Sequence, residues 1–302
     1  MYVPIGGIEQ WIQFRGAPDT PILLYLHGGP GGTSVPLAES WKPWEEYFTV
    51  AHWDQRGAGR TFARNGESGC GRLTIERMVE DGLEVVDFLV AALGGRKLVV
   101  LGHSWGSVLG IHMIRRRPDL LSAYVATGLY VNGRRNEEVN HRRELAQAEA
   151  SGNTEALAAL RAIGSPPFAD RSALKVLRHW ADVLAEGAGD PVQPRPGVIS
   201  ADYGADEYPT LMRGAEYSRR ELFDELLGVD LPALGLAFEV PFFVFQGTCD
   251  QATPVELAQE YFDSIEAPRK EFVRFEGCHH FLVMNRPQDV LRELVARVLP
   301  SL

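Results

Sequence analysis

The residues best placed to do chemistry begin with Gly102-His103-Ser104-Trp105-Gly106, a serine framed by two glycines. The dense apolar run Leu98–Leu101 leads into it, and Ser107–Arg117, with helical character, leads out. G-x-S-x-G between a strand and a helix is the tight turn that pushes a serine hydroxyl out at the carboxyl end of a sheet. Small residues at 102 and 106 let strand and helix approach each other. A serine displayed in this way attacks a carbonyl carbon once a base takes its proton, an acid orients that base, and backbone N–H groups hold the developing oxyanion.

Three further loops supply candidates for those roles. Ile22–Leu26 ends in His27-Gly28-Gly29-Pro30-Gly31, a glycine-rich turn that can aim an N–H at an oxyanion. Gly29 is the expected first donor and the N–H of Trp105 the second. The run Pro241–Gln246 leads into Gly247-Thr248-Cys249-Asp250, which places Asp250 where an orienting acid is needed. Glu271–Phe275 leads into Glu276-Gly277-Cys278-His279-His280-Phe281, and either histidine could be the base. The chain order serine, acid, histidine is the one this kind of elbow uses.

These loops need a scaffold that brings strand ends to one edge. Short, dense apolar runs at Ile22–Leu26, Thr49–Trp53, Leu98–Leu101, Tyr124–Thr127, Pro241–Gln246 and Glu271–Phe275 predict strands buried on both faces, as in a parallel sheet. Ile8–Phe14 reads as an exposed antiparallel edge strand. From Thr74 to Leu93 the apolar residues fall on one helical stripe, with Thr74 as N-cap and Gly94 as the stop. Strands alternating with helices imply an α/β fold. The middle of the chain breaks the rhythm: Glu137–Ala150, Thr154–Ile163 and Ser172–Glu186 read as helices, punctuated by Pro166-Pro167 and the proline-rich stretch Asp190–Gly197, with no buried strand. Residues 134–239 are therefore expected to be a helical lid inserted into a core formed by residues 1–133 and 240–302.

Composition narrows the partners. The chain has 302 residues, 45% of them hydrophobic, which is enough to bury a sizeable core. A formal net charge of −10 argues against nucleic acid or an anionic membrane as partner. No apolar run approaches the roughly 20 residues that span a bilayer, and the start shows no signal-peptide pattern, so a soluble cytoplasmic protein is expected. The three cysteines, Cys70, Cys249 and Cys278, make neither a disulfide framework nor a zinc site; Cys249 and Cys278 are expected to be small buried apolar residues. No metal-ligand spacing, phosphate loop or dinucleotide fingerprint is present, and the expected chemistry needs no cofactor or metal.

Taken together, His27–Gly31 (HGGPG), Asp54–Gly57 (DQRG), Gly102–Ser107 (GHSWGS), the G-x-x-D-x-x-x-P run at Gly247–Pro254 and the late histidine resemble the prolyl aminopeptidase (proline iminopeptidase) family of α/β-hydrolases. The resemblance covers the core and implies an α/β-hydrolase fold, a mostly parallel sheet flanked by helices. It favours His280 over His279 as the base, with His279 standing where the family has glycine. It implies that Asp54, Gln55 and Arg56 brace loops, and that acidic lid residues hold a substrate's free amine. Glu216 is the expected anchor, with Glu207 and Glu239 as weaker choices; Phe168, Trp180, Tyr203, Tyr208, Tyr217 and Phe223 could line an apolar pocket.

The expected function is a serine hydrolase using Ser104, Asp250 and His280 on a small-molecule or short-peptide substrate, foremost an aminopeptidase that releases an N-terminal residue, proline preferred. A carboxylesterase or small-amide hydrolase uses the same triad. A non-catalytic binding protein of this fold is the reading from another class, although every catalytic role has a candidate here. The sequence does not set the oligomeric state.

Overall fold

The apolar runs assemble into one eight-stranded sheet in a computed structural model that describes every residue except 18, 95, 97, 169–170 and 186–202. Its strands are β1 (Tyr2–Ile5), β2 (Ile8–Arg15), β3 (Ile22–Leu26), β4 (Thr49–Asp54), β5 (Leu98–His103), β6 (Leu121–Thr127), β7 (Phe242–Gly247) and β8 (Lys270–Phe275). Their spatial order is β1-β2-β4-β3-β5-β6-β7-β8. β1, β2 and β4 pair antiparallel, and every pair from β4 across to β8 is parallel.

Dense apolar runs mark the centre of this sheet because both of its faces are covered. Every residue of β3, β4, β5 and β7 is buried. Along β3, Ile22, Leu24 and Leu26 enter one core cluster while Leu23 and Tyr25 enter the other, as the period-2 pleat requires. One expectation is corrected here. The strand begun at Ile8 is not the edge: β1 lies outside it, joined by a turn at Gly6-Gly7 whose φ values of 54° and 77° suit glycine.

The α-helices are α1 (Gly59–Cys70), α2 (Ile75–Ala92) and α3 (Trp105–Arg116), then α4 (Gly133–Ser151), α5 (Thr154–Ala162), α6 (Arg171–Ala185), α7 (Tyr208–Glu221) and α8 (Phe223–Leu227), and finally α9 (Val255–Ser264), α10 (Leu282–Asn285) and α11 (Pro287–Glu293). The N–H of Arg77 donates to Thr74 Oγ1 at 3.1 Å, the cap expected for α2, and Gly94 follows its end at φ 90°.

α4–α8 interrupt the chain between the neighbouring strands β6 and β7. The two ends of this segment are pinned side by side, with Gly133 N–H donating to Val229 O and Leu231 N–H to Val131 O, each at 2.9 Å. α4, α5 and α6 share a cluster of their own that includes Ala148, Ala156, Leu160, Leu174 and Leu177. α7 instead lies against the core: Ser218 Oγ donates to Gly57 O at 2.8 Å, and a Cβ on Gly31 would stand 2.7 Å from Ala215 Cα. Among the described residues from 134 to 239 no strand occurs, only single bridges at Asp230 and Ala237. The Asp190–Gly197 stretch and Glu186 lie outside the described residues.

Candidate active site

Because β3, β5, β7 and β8 run parallel, the loops that follow them emerge at one edge of the sheet. The sharpest turn is at Ser104, where β5 passes into α3. Its φ of 55° makes it the only non-glycine residue with positive φ among those described, and backbone so placed is held only where the surroundings enforce it. The enforcement is close packing. A Cβ on Gly106 would lie 2.0 Å from Leu26 O, and one on Gly102 would lie 2.4 Å from Gly106 O. Both obstacles are backbone and cannot rotate away. Gly106→Ala is therefore expected to cost roughly 3 kcal/mol, the upper end for overpacking, read as a lowered urea midpoint. A loss below about 1 kcal/mol would show that helix and strand have slack there.

From this turn a chain of hydrogen bonds runs across three loops. Ser104 Oγ lies 3.0 Å from His280 Nε2, and His280 Nδ1 lies 3.0 and 2.9 Å from the two carboxylate oxygens of Asp250. Asp250 is itself held by many donors. The N–H groups of Ala252 and Thr253 donate to Oδ1 at 2.8 and 2.7 Å, while Thr253 Oγ1 and Gln246 Nε2 donate to Oδ2 at 2.7 and 3.2 Å. Burial alone would push this carboxyl up. The charge and hydrogen bond of His280, together with Thr253, outweigh it, and Asp250 sits below the ordinary carboxylate range.

His279 points elsewhere, with Nδ1 2.9 Å from Cys249 O and 3.2 Å from Gln251 Oε1. Of the two adjacent histidines, the structure thus brings His280 to Ser104. The ring of His103 packs against His280 with centroids 4.9 Å apart, and burial first, then the neighbouring His280, lowers its pKa to about 3. A Cβ on Gly128 would meet His280 Cε1 at 3.0 Å, which makes glycine the residue that admits the ring.

The glycine-rich loop after β3 closes over the elbow. Gly28 approaches so near that a Cβ there would lie 3.0 Å from Ser104 Cβ. Gly28, Gly29 and Trp105 all line one cavity with Ser104 and His280. Trp105 opens α3, and the first N–H groups of a helix have no partner within it.

The Asp54-Gln55-Arg56 run fixes these pieces, as the sequence led us to expect. Gln55 N–H donates to His27 Nε2 at 3.2 Å, Gln55 Nε2 to His27 O at 3.1 Å, and Trp105 Nε1 to Gln55 Oε1 at 2.9 Å. Asp54 accepts from Thr33 Oγ1 at 2.5 Å and from Arg60 N–H at 2.8 Å, and burial raises its pKa to about 6 against those bonds. Arg56 pairs with buried Asp81 at 2.7 Å.

The cavity measures about 430 Å³. Its far wall is built from α4, α6, α7 and α8, and there the structure departs from expectation. Glu216 is not among the lining residues. α7 turns Gly214, Ala215, Tyr217 and Ser218 toward the core, so Glu216 is exposed on the opposite face, 3.6 Å from Arg219. Glu207 pairs with Arg60 at 2.9 Å, and Glu239 is exposed; neither lines the cavity. Of the aromatic candidates only Phe223 lines it, while Phe168 belongs to the cluster of α4–α6. Cys249 is exposed rather than buried, and Cys278 is buried as expected.

Two acidic side chains do line the cavity, the half-buried Asp182 and the buried Glu137, and the sequence reading passed over both. Glu137 lies the deeper of the two. It is 4% exposed, and among the described residues its carboxylate has neither a side-chain hydrogen bond nor an ion pair. Burial pushes its carboxyl above the ordinary range, while the nearby Phe168 N–H and the Arg178 guanidinium pull the other way. A sequence signal existed. Asn136, Glu137, Asn140, His141 and Glu144 recur at helical spacing on the buried side of α4, where a core-facing helix would carry apolar residues.

Among the described residues no group of three or more His, Cys, Asp or Glu side chains is placed to hold a metal ion, and no helix is long and apolar enough to cross a membrane.

Comparison with known proteins agrees with this architecture. The profile of the alpha/beta hydrolase family matches residues 23–293. The chain is 30% identical to a probable aminopeptidase, YbaC, of Bacillus subtilis (strain 168), over 94% of this chain and 91% of that protein. It is 23% identical to a proline iminopeptidase of Lactobacillus helveticus, over 95% of this chain and 93% of that protein. Among solved structures, the proline iminopeptidase of Mycobacterium smegmatis superposes with a TM-score of 0.68 at 22% identity, covering 100% of this chain and 98% of that one.

Proposed function

Since the chain belongs to the alpha/beta hydrolase family, we propose that it is a serine aminopeptidase, which releases the N-terminal residue, proline foremost, from short peptides and amino-acid amides. The observation that carries this is the buried carboxylate of Glu137, which has no ion-pair partner among the described residues, in the same cavity as the Ser104–His280–Asp250 chain. A buried charge without an ion-pair partner is costly and calls for a counter-charge. The free amine of a substrate supplies one. Glu137 takes this role in place of Glu216.

In this mechanism the Ser104 hydroxyl attacks the carbonyl carbon of the first residue while His280 Nε2 takes its proton. Asp250 keeps the imidazole proton on Nδ1 and stabilises the imidazolium. The N–H groups of Gly29 and Trp105 receive the oxyanion. As the C–N bond breaks, His280 returns the proton to the leaving amine. Water then attacks the acyl-enzyme by the same route and frees Ser104. The helices of residues 134–239 act as a lid that walls the cavity, with the amine anchored on α4 and apolar side chains such as Tyr130, Leu174, Leu177 and Phe223 around the acyl group.

Hydrolysis of proline β-naphthylamide, its N-acetyl derivative and p-nitrophenyl butyrate tests this. The free amide should turn over and the N-acetyl form should not. Glu137→Gln is expected to lower kcat/KM for the free amide about 100-fold, mainly through KM, because truncating a buried charge pair costs roughly 2–5 kcal/mol. The ester should change little. Equal turnover of free and N-acetylated amides would overturn the aminopeptidase assignment, and ester turnover alone would make the protein an esterase.

A further inference from the structure

The cavity carries more charge than amine recognition and acyl transfer use. Besides Glu137, its lining includes Asp182, Arg178 and Arg219. Two carboxylates and two guanidiniums make a balanced set. Such a wall suits a ligand bearing both signs better than an apolar ester.

The two guanidiniums are not equivalent. Arg219 has Glu216 3.6 Å away, and its own carbonyl accepts from Arg171. Arg178 is exposed, and among the described residues it has no hydrogen-bond or ion-pair partner. It stands on the face of α6 that carries Leu174, Leu177 and Ala181, all of which line the cavity. That is one helical stripe, so its guanidinium is presented at the cavity rather than around the far side of the helix. Asp182, one turn on, makes contacts of its own.

Arg178 and Glu137 share the cavity without forming an ion pair, although the charge of Arg178 is felt at the Glu137 carboxyl. Two opposite charges held apart in one cavity match a molecule with a cation at one end and an anion at the other. An unblocked dipeptide is such a molecule. A residue spans about 3.3–3.6 Å, so its amine and carboxylate are separated by roughly 7 Å when extended. With the amine at Glu137 and the first carbonyl at Ser104, the carboxylate of the leaving residue falls one residue farther out. Guanidinium is the side chain whose fork of donors fits a carboxylate.

We infer that Arg178 anchors the substrate's terminal carboxylate and that unblocked dipeptides are the preferred substrate class. This role presupposes the aminopeptidase activity proposed above.

The test compares kcat/KM for prolyl-alanine, prolyl-alanine amide and proline β-naphthylamide in the wild type, Arg178→Gln and Arg219→Gln. The wild type should prefer the free dipeptide over its amide about tenfold, the value of a charge-assisted hydrogen bond. Arg178→Gln should remove that preference by raising KM for the dipeptide about tenfold more than for the amide or the naphthylamide, which share only the smaller loss that comes from the effect of Arg178 on Glu137. Naphthylamide turnover retained within a few-fold also shows that the variant is folded. Equal turnover of dipeptide and amide by the wild type overturns the carboxylate anchor, as does an equal loss on all three substrates in Arg178→Gln. Loss of the preference in Arg219→Gln but not in Arg178→Gln overturns the choice of residue. Turnover of the naphthylamide with neither dipeptide cleaved overturns the anchor alone. No turnover of any of the three overturns the aminopeptidase activity itself.

Discussion

Ser104→Ala is expected to lower kcat for proline β-naphthylamide by about 10⁶-fold, the loss that follows removal of a nucleophile acting as a unit with its base. The fold should survive. Among the described residues the Ser104 hydroxyl's hydrogen-bond partner is His280 Nε2 at 3.0 Å, and alanine keeps the Cβ. Residual turnover should remain above that of water, because the oxyanion donors and the binding walls are untouched. A companion variant separates chemistry from strain. Ser104 sits at φ 55°, a region that glycine enters without penalty. Ser104→Gly should therefore be as inactive as Ser104→Ala yet more stable by about 1 kcal/mol. Activity within about 100-fold of wild type in either variant would remove Ser104 from the mechanism, since a lost nucleophile leaves far less than that.

Asp250→Asn should cost about 10⁴-fold in kcat, for a reason that lies in hydrogen-bond polarity rather than charge alone. A carboxylate only accepts, whereas an amide both accepts and donates. At Asp250 every surrounding partner donates: two backbone N–H groups, the Thr253 hydroxyl, the Gln246 amide and the His280 imidazole. An asparagine must turn its NH₂ toward some of them. Facing it to Thr253 and Ala252 leaves buried donors opposed. Facing it to His280 makes Nδ1 the acceptor and puts the imidazole proton on Nε2, where it blocks uptake of the serine proton. Stopped-flow measurement of acylation with an activated ester reads this step directly. A loss of less than about tenfold would show that His280 is oriented by something other than Asp250.

The loops that carry the proposed chemistry were legible in the sequence because each follows a strand buried on both faces. Such strands appear as unbroken apolar runs, and the abrupt change to glycine and polar residues marks where the sheet ends. β3, β5 and β7 are of this kind, and Gly29, Ser104 and Asp250 stand just beyond them. β8 is less buried, yet its run was still visible. β1 was not: four residues alternating between exposed and buried carry too little pattern. α1 was missed for a different reason, since Gly59, Gly66 and Gly69 within it argue against a helix, and the chain kinks at Gly66. The choice between His279 and His280 needed the family spacing, because adjacent residues in a loop share every local signal.

Glu216 does not reach the cavity, and the reason is instructive. Glu216 was the expected anchor, and it stands among Gly214, Ala215, Tyr217 and Ser218. Those neighbours are the face of α7 that meets Gly31 and Gly57, and a helix that buries that face must turn Glu216 outward. Glu137 stands on a helix whose buried side is mostly polar, with Asn136, Asn140, His141 and Glu144 beside Val139 and Ala148, a pattern that resembles a solvent-facing surface until the packing partner is known. Which side of a polar helix is covered is decided by contacts between distant parts of the chain.

The adjacency of Gly133 and Val229 gives the segment they bracket an independence of its own. A stretch of chain that leaves and re-enters the sheet at nearly one point can lengthen, shorten or be exchanged without moving a strand, because the distance it must close stays the same. The proposed bond-breaking atoms belong to the sheet edge, while the charges at Glu137 and Arg178 belong to the bracketed helices. Inheritance can therefore act on the two separately: one half conserves a reaction, and the other is free to change what that reaction is applied to.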